Sequence, residues 1–180
     1  MLASTRRILR QYQELGSQAL ARLTTVEQIN WRPHPDTNSV AHIVRHLAGN
    51  MRSRWTDFLT TDGEKPNRAR DEEFADDLHL TAGEARQLWE AGWACVWAAL
   101  DPLTDADLAR AVFIRGEAHS VQDALLRQLA HYPYHVGQLV LLAKELLGEG
   151  GFTSLSIPRN RSDAFNAAKL SALGPPLPGL

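Results

Sequence analysis

Two pairs of histidines, each spaced four residues apart, are the feature of this sequence that most directly suggests chemistry. His42 and His46 form the first pair, and His131 and His135 form the second. Both pairs lie in segments whose apolar residues recur at helical spacing. Residues four apart on a helix leave nearly the same face, one turn apart, so the two imidazoles of a pair can bind one ion.

The face that each histidine occupies separates the ligand candidates from the others. On a helical wheel of about 100° per residue, His131 and His135 border the buried arc of their helix, and His46 also points inward. These three side chains are the predicted metal ligands. The remaining histidines are predicted to be ordinary core or surface residues: His34, His42, His79 and His119.

Three inward histidines favour a metal because burying them without a cation is unfavourable. Each ring loses hydration, and three protonated rings would repel one another. A divalent cation takes neutral imidazole as its ligand and supplies the positive charge itself. Three imidazoles leave a coordination position open to water or substrate, which is typical of catalytic sites. The alternative is that the same histidines are only packed in the core, and their spacing does not decide between the two.

Four long amphipathic helices must position these histidines. The predicted helices cover residues 5–23, 38 or 39 to about 59, 81 to about 100, and 120 to just before 148. Ser39 or Asn38, Thr81 and Ser120 are the predicted N-caps. The strand-like run at residues 111–114 predicts a short extended excursion before the last helix. This pattern predicts an all-α fold, a four-helix bundle.

The rest of the chain is predicted to be irregular. Residues 61–77 carry seven acidic and three basic residues without an apolar period, which predicts a solvated connector. Residues 1–166 are assigned to one domain and residues 167–180 to an irregular tail, in which residues 175–178 are frayed. Pro133, between the second pair of histidines, is predicted to bend its helix.

The amino-acid composition of the chain excludes several classes of function. The chain has 180 residues, one cysteine (Cys95) and a formal charge of −2. A disulfide framework and a cysteine zinc site are therefore excluded, and nucleic acid is not an expected partner. No apolar run approaches the roughly 20 residues of a membrane span, and the N-terminus lacks a signal-peptide pattern. We expect a cytoplasmic protein with no membrane partner.

An ordered set of motifs resembles a branch of the DinB-like (YfiT-like) superfamily, a branch catalogued as a domain of unknown function. The motifs are NSVAHIVRHLAGN at 38–50, RSRW at 52–55, DGEK at 62–65, RDEEF at 70–74, IRGE at 114–117, HYPYHVGQ at 131–138, LSIP at 155–158 and FN at 165–166. The resemblance spans roughly residues 4–166 and is more specific than either histidine pair.

The resemblance implies a four-helix bundle with up-down-down-up connectivity, often dimeric, in which a histidine triad holds a divalent metal. The triad carries over onto His46, His131 and His135, the residues that the helical wheel selects. Characterised relatives include metal-dependent transferases and isomerases that use small thiols such as bacillithiol or mycothiol. Pro133 stands where a small polar residue is expected in the family.

The leading hypothesis is a metal-dependent enzyme, a small-thiol S-transferase or a hydrolase, that acts on a small-molecule substrate. The metal is zinc, nickel, iron or manganese, because three imidazoles suit each of them. Asn50, Gln138 and Arg115 are the candidate substrate-binding residues. The alternatives are a non-enzymatic dimeric protein that binds a metal or small ligand as a stress or sensor protein, and a helical interaction domain with packed histidines.

Overall fold

The fold is dominated by helices, as the sequence predicts, with one small sheet. A computed structural model describes residues 1–173. The helices are α1 (Leu2–Ala21), α2 (Val26–Asn30), α3 (Val40–Trp55), α4 (Ala82–Leu100), α5 (Val121–Gly151) and α6 (Ser162–Leu173). Short 3-10 helices cover Asp71–Phe74 and Asp105–Ala109. The strands β1 (Ala111–Ile114) and β2 (Glu117–Ser120) pair antiparallel, with Ala111 opposite Ser120.

The four long helices share one hydrophobic core. α3 packs mainly against α4, α1 packs mainly against α5, and further contacts join α1 to α4 and α3 to α5. The largest fully buried side chains include Trp93 of α4 and Tyr132 of α5, together with leucines of α1 and α3. The contact of α3 with α5 brings His46 of the first histidine pair close to the second pair.

Side-chain caps begin three of these helices where the sequence predicts them. Ser39, Thr81 and Ser120 each accept a hydrogen bond from the backbone N–H three residues later, and each forms a capping box. Such a cap contributes about 1 kcal/mol of helix stability. The cap at α3 is therefore Ser39 and not Asn38.

The helix ends differ from the prediction where local geometry overrides the apolar pattern. The second long helix ends at Trp55 rather than near residue 59, because the chain turns through Asp57, which has a φ of 48°. α1 begins and ends slightly earlier than predicted. α5 runs through Pro133 and on to Gly151, past Gly148.

The prediction of an irregular tail from residue 167 is wrong as far as Leu173. Those residues belong to α6, an alanine-rich helix whose described side chains are exposed. Alanine has the highest helix propensity, so such a segment can be helical without a buried apolar face for the pattern to show. The remainder of the tail, including the predicted frayed segment 175–178, lies outside the described residues.

The connector at residues 61–77 is also not simply solvated. Glu73 is 4% exposed and the Arg68 side chain is almost as buried. Arg68 pairs with Glu73, and Arg54 of α3 pairs with Glu64. Paired charges can be buried without a periodic apolar pattern, which is why the apolar period did not indicate that this segment docks on α3.

The extended excursion before the last helix is a β-hairpin. Its turn residues, Arg115 and Gly116, have φ values of 56° and 76°. Positive φ at both central residues is typical of the two-residue turns that suit antiparallel strands. The Asp62 carboxylate accepts hydrogen bonds from both backbone amides, at 2.8 and 2.7 Å. The connector therefore holds the hairpin tip in place.

Within residues 1–173, none of the helices combines the length and apolar content that crossing a bilayer requires.

Candidate metal centre

Three histidines from two helices converge on one point. The Nε2 atom of His131 on α5 lies 3.2 Å from Nε2 of His46 on α3 and 3.1 Å from Nε2 of His135. The candidate ligand atoms of all three lie within 4.8 Å of one another, close enough to hold a metal ion. His46 and His135 are buried and His131 is half-buried. The structure thus brings together the three predicted ligands.

The Nδ1 atom of each ring is hydrogen-bonded to a side-chain oxygen. The pairs are His46 with Glu73 at 2.8 Å, His131 with Gln128 at 3.2 Å and His135 with Gln138 at 2.8 Å. A neutral imidazole carries one N–H, so a proton donated from Nδ1 leaves a lone pair on Nε2. All three Nε2 lone pairs therefore face a common point.

This donor set fits a divalent metal. Lone pairs at such short separations repel one another, and a cation between them removes the repulsion. Metal–nitrogen bonds of about 2.0–2.1 Å place neighbouring ligand nitrogens about 2.8–3.4 Å apart at angles from octahedral to tetrahedral. Two of the three separations, 3.1 and 3.2 Å, fall in that range, and the ligand atoms of His46 and His135 lie within 4.8 Å of each other. An oxygen acceptor behind each ring is also usual for metal-binding histidine.

The surroundings keep the rings of His131 and His135 neutral, as a metal ligand must be. Burial, together with nearby positive charge from His135, His46, Arg68 and Arg127, lowers the pKa of His131 to about 3. Burial also lowers the pKa of His135, although the hydrogen bond with Gln138 acts in the opposite direction. At neutral pH both rings are therefore available to a cation without first losing a proton.

Glu73 is the functional residue that the sequence analysis missed. Its Oε2 accepts from His46, and Arg68 donates to Oε1 at 2.8 Å and to Oε2 at 2.9 Å. Burial raises the pKa of Glu73, but these hydrogen bonds and the charge of Arg68 outweigh burial and hold it below the usual value. The carboxylate is therefore charged and fixes the orientation of His46.

One sequence feature could have pointed to Glu73. Phe74 is an aromatic residue in a polar connector, and such a residue needs a surface to pack on. Its ring centroid lies 4.8 Å from that of His46. The connector therefore packs, through Phe74, against the imidazole ring of His46.

Gly49 makes room for this carboxylate. A Cβ atom at position 49 would lie 2.2 Å from Oε1 of Glu73. The absence of a side chain there lets Glu73 approach α3, one turn from His46.

The three candidate substrate-binding residues lie in different places. Asn50 is buried and lines the cavity beside the histidines, as does Arg115. Gln138 instead contacts His135 and orients that ring. Arg115 also pairs with Glu64, its Nε lying 3.1 Å from a carboxylate oxygen. Asn50 and Arg115 therefore line the cavity, whereas Gln138 lies on the Nδ1 side of the His135 ring.

The cavity beside the triad measures about 560 Å³. The triad histidines line one part of it, and five arginines line much of the rest. The arginines are Arg54, Arg68, Arg70, Arg115 and Arg127. A small molecule can therefore reach the three histidines.

His42, the other histidine of the first pair, belongs to the fold. Its Nδ1 accepts the backbone N–H of Ser39 at 3.1 Å, and its Nε2–H donates to the carbonyl of Ala75 at 3.0 Å. The ring is 4% exposed because the connector covers it. Both of its nitrogens are satisfied, so His42 is a buried structural residue, which is one of the two alternatives that the sequence left open.

A comparison with known protein families assigns the chain to one of them. Residues 1–161 match the family described as "Protein of unknown function (DUF1572)", and the chain belongs to that family. The match includes the three histidines and Glu73. No curated protein matches the chain.

Proposed function

We propose that this member of the DUF1572 family is a divalent-metal-dependent enzyme, a small-thiol S-transferase or a hydrolase. The observation that carries the proposal is the convergence of three Nε2 lone pairs at the wall of a cavity of about 560 Å³. A structural metal site closes its coordination shell with protein ligands, whereas a catalytic site keeps a position open to small molecules. Three histidines beside a cavity match the second arrangement.

His46, His131 and His135 would hold the metal, which is zinc, nickel, iron or manganese. When bound, a divalent cation supplies Lewis acidity, which lowers the pKa of a coordinated thiol or water at neutral pH. Glu73 keeps the Nδ1 proton on His46, so that Nε2 remains the ligand atom. Gln138 does the same for His135. These contacts orient the ligands before a metal arrives.

Asn50 is the residue best placed to orient a substrate. Its Oδ1 accepts a hydrogen bond from the Tyr132 hydroxyl at 3.2 Å, and that hydroxyl accepts one from Trp55 Nε1 at 2.8 Å. Because both partners are buried in the core, the Asn50 amide is held in one orientation. Its Nδ2 donors are then available to a ligand in the cavity that Asn50 lines.

The resemblance to the DinB-like superfamily supports the same proposal. It also extends the proposal to up-down-down-up helix order and to a homodimer. In characterised relatives an equivalent histidine triad holds the metal used with small thiols. The pairs of helices in contact, α3 with α4 and α1 with α5, are compatible with four helices around one core.

Metal analysis and activity assays together test the proposal. Purified protein should carry about one divalent metal per chain, and His135→Ala should lose it. His79→Ala, which removes an exposed histidine, is the matched control and should retain the metal. Turnover with a panel of small thiols and electrophiles should depend on His135. Metal binding with equal rates in wild type and His135→Ala would instead support the non-enzymatic sensor.

A further inference from the structure

The cavity beside the triad is strongly positive. Five arginines line it, and none of the described residues that line it is acidic. Like charges gathered in one cavity repel one another, and the effect is stronger in a partly desolvated site than in water. Nearby carboxylates, or an anion held in the cavity, stabilise such an arrangement.

Two carboxylates compensate three of these arginines. Glu64 lies 3.1 Å from Arg54 Nη2 and 3.1 Å from Arg115 Nε. Glu73 lies 2.8 Å from Arg68 Nε. These guanidinium groups are therefore partly neutralised by the protein itself, and their positions are fixed by it.

The other two arginines, Arg70 and Arg127, differ from these three. Neither has a described carboxylate within 4.0 Å, and both are exposed at the rim of the cavity. The Arg70 guanidinium lies 5.4 Å above the Phe74 ring, and Phe74 in turn packs on His46. Arg127 lies one helical turn before His131 on α5. The two arginines therefore approach the triad from different elements, the connector and α5.

Stacking on Phe74 restrains Arg70 while leaving its N–H donors unused. A planar guanidinium presents paired donors that match the two oxygens of a carboxylate or phosphate. A metal at the triad would add two further positive charges to the same cavity. One negatively charged group on a ligand can then lie toward the triad while a second lies between the two rim arginines.

From this arrangement we infer that the cavity binds a small molecule with at least two negative charges, carried by carboxylate or phosphate groups. Arg70 and Arg127 bind the group distant from the triad. The inference rests on the proposed function for the place of the metal, but the two rim arginines are present whether or not a metal binds. The substrate, or the small thiol, is therefore a polyanionic metabolite.

Isothermal titration calorimetry with succinate, inorganic phosphate and acetate tests this inference. Succinate or phosphate should bind the metal-loaded wild type more tightly than acetate, and the tighter of the two identifies the preferred anionic group. Arg70→Gln and Arg127→Gln should each weaken that binding about tenfold, the effect of losing one charge-assisted contact. Arg7→Gln removes an exposed arginine of α1 and should change nothing. All variants should keep the wild-type metal content.

Three results would overturn the inference: no binding of either polyanion, binding that survives in Arg70→Gln/Arg127→Gln, or an equal loss in Arg7→Gln. Binding that survives in the double variant would mean that the anion contacts only the metal. If the wild type holds no metal but binds the polyanion through Arg70 and Arg127, the inference stands and the proposed enzyme function fails. The two claims are therefore separable.

Discussion

Gly49→Ala is the substitution that best tests how the metal centre is supported, because it changes neither a ligand nor a charge. A Cβ atom there would lie 2.2 Å from Glu73 Oε1, and ordinary contact begins at 3.4 Å. The carboxylate must therefore retreat by up to 1.2 Å, the difference between the two values. That movement would stretch the 2.8 Å contact between Glu73 and His46 beyond hydrogen-bonding distance.

Two opposing effects on stability follow from this substitution. Alanine in place of glycine inside a helix stabilises it by about 1 kcal/mol. Breaking the buried contacts of Glu73 with Arg68 and His46 costs about 3–5 kcal/mol. We therefore expect Gly49→Ala to lower the free energy of unfolding by about 2 kcal/mol or more. Metal affinity should fall about 10- to 100-fold, because His46 loses the acceptor that orients it.

Urea denaturation of the metal-free protein and competition with a chelator measure these two quantities. Gly137→Ala is the matched control, because it lies inside α5 and a Cβ atom there would meet nothing within 4 Å. Gly137→Ala should have a higher free energy of unfolding than the wild type, because alanine favours the helix, and it should keep the wild-type metal affinity. If Gly49→Ala behaves like this control, Glu73 does not support the metal centre in the way we describe.

Two further predictions concern histidines. In the metal-free protein, the pKa values of His131 and His135 are lowered on folding, so the unfolded chain binds more protons. Their contribution to stability is therefore complete above the unfolded pKa of about 6.5. It is lost as the pH falls toward about 3, the folded value for His131. Unfolding monitored from pH 7.5 to 4 should show this decline, and His131→Ala should flatten it; an unchanged slope in the variant would contradict the assignment. His42→Ala should lower stability by about 1–3 kcal/mol, since it removes the hydrogen bond to the Ala75 carbonyl, yet leave metal content unchanged. Loss of metal in that variant, measured by elemental analysis, would contradict the structural role of His42.

The triad could be predicted from the sequence because a helix fixes the direction of its side chains. Once apolar residues define the buried arc of α3 and α5, the azimuths of His46, His131 and His135 follow from the helical period. The same reasoning set His42 apart from His46, although both belong to one pair. The capping residues were predictable for a related reason, since a cap depends on residues only three apart.

Glu73 could not be predicted in this way because no periodic element holds it. Its position depends on the docking of a connector through Arg68, and on the space that Gly49 leaves 24 residues earlier in the chain. The direction of Arg115 likewise depends on a hairpin turn that Asp62 fixes from a distant segment. Contacts between segments far apart in the sequence carry this information, and local patterns do not.

Anomalous diffraction from crystals grown with zinc or manganese tests most directly whether the three histidines bind a metal. We expect one anomalous peak about 2.0–2.2 Å from the Nε2 atoms of His46, His131 and His135, with Nδ1 of His46 still hydrogen-bonded to Glu73. The peak should be absent from His131→Ala crystals grown under the same conditions. A peak at other residues, or none at the triad at saturating metal, would show that these three histidines are not a metal site.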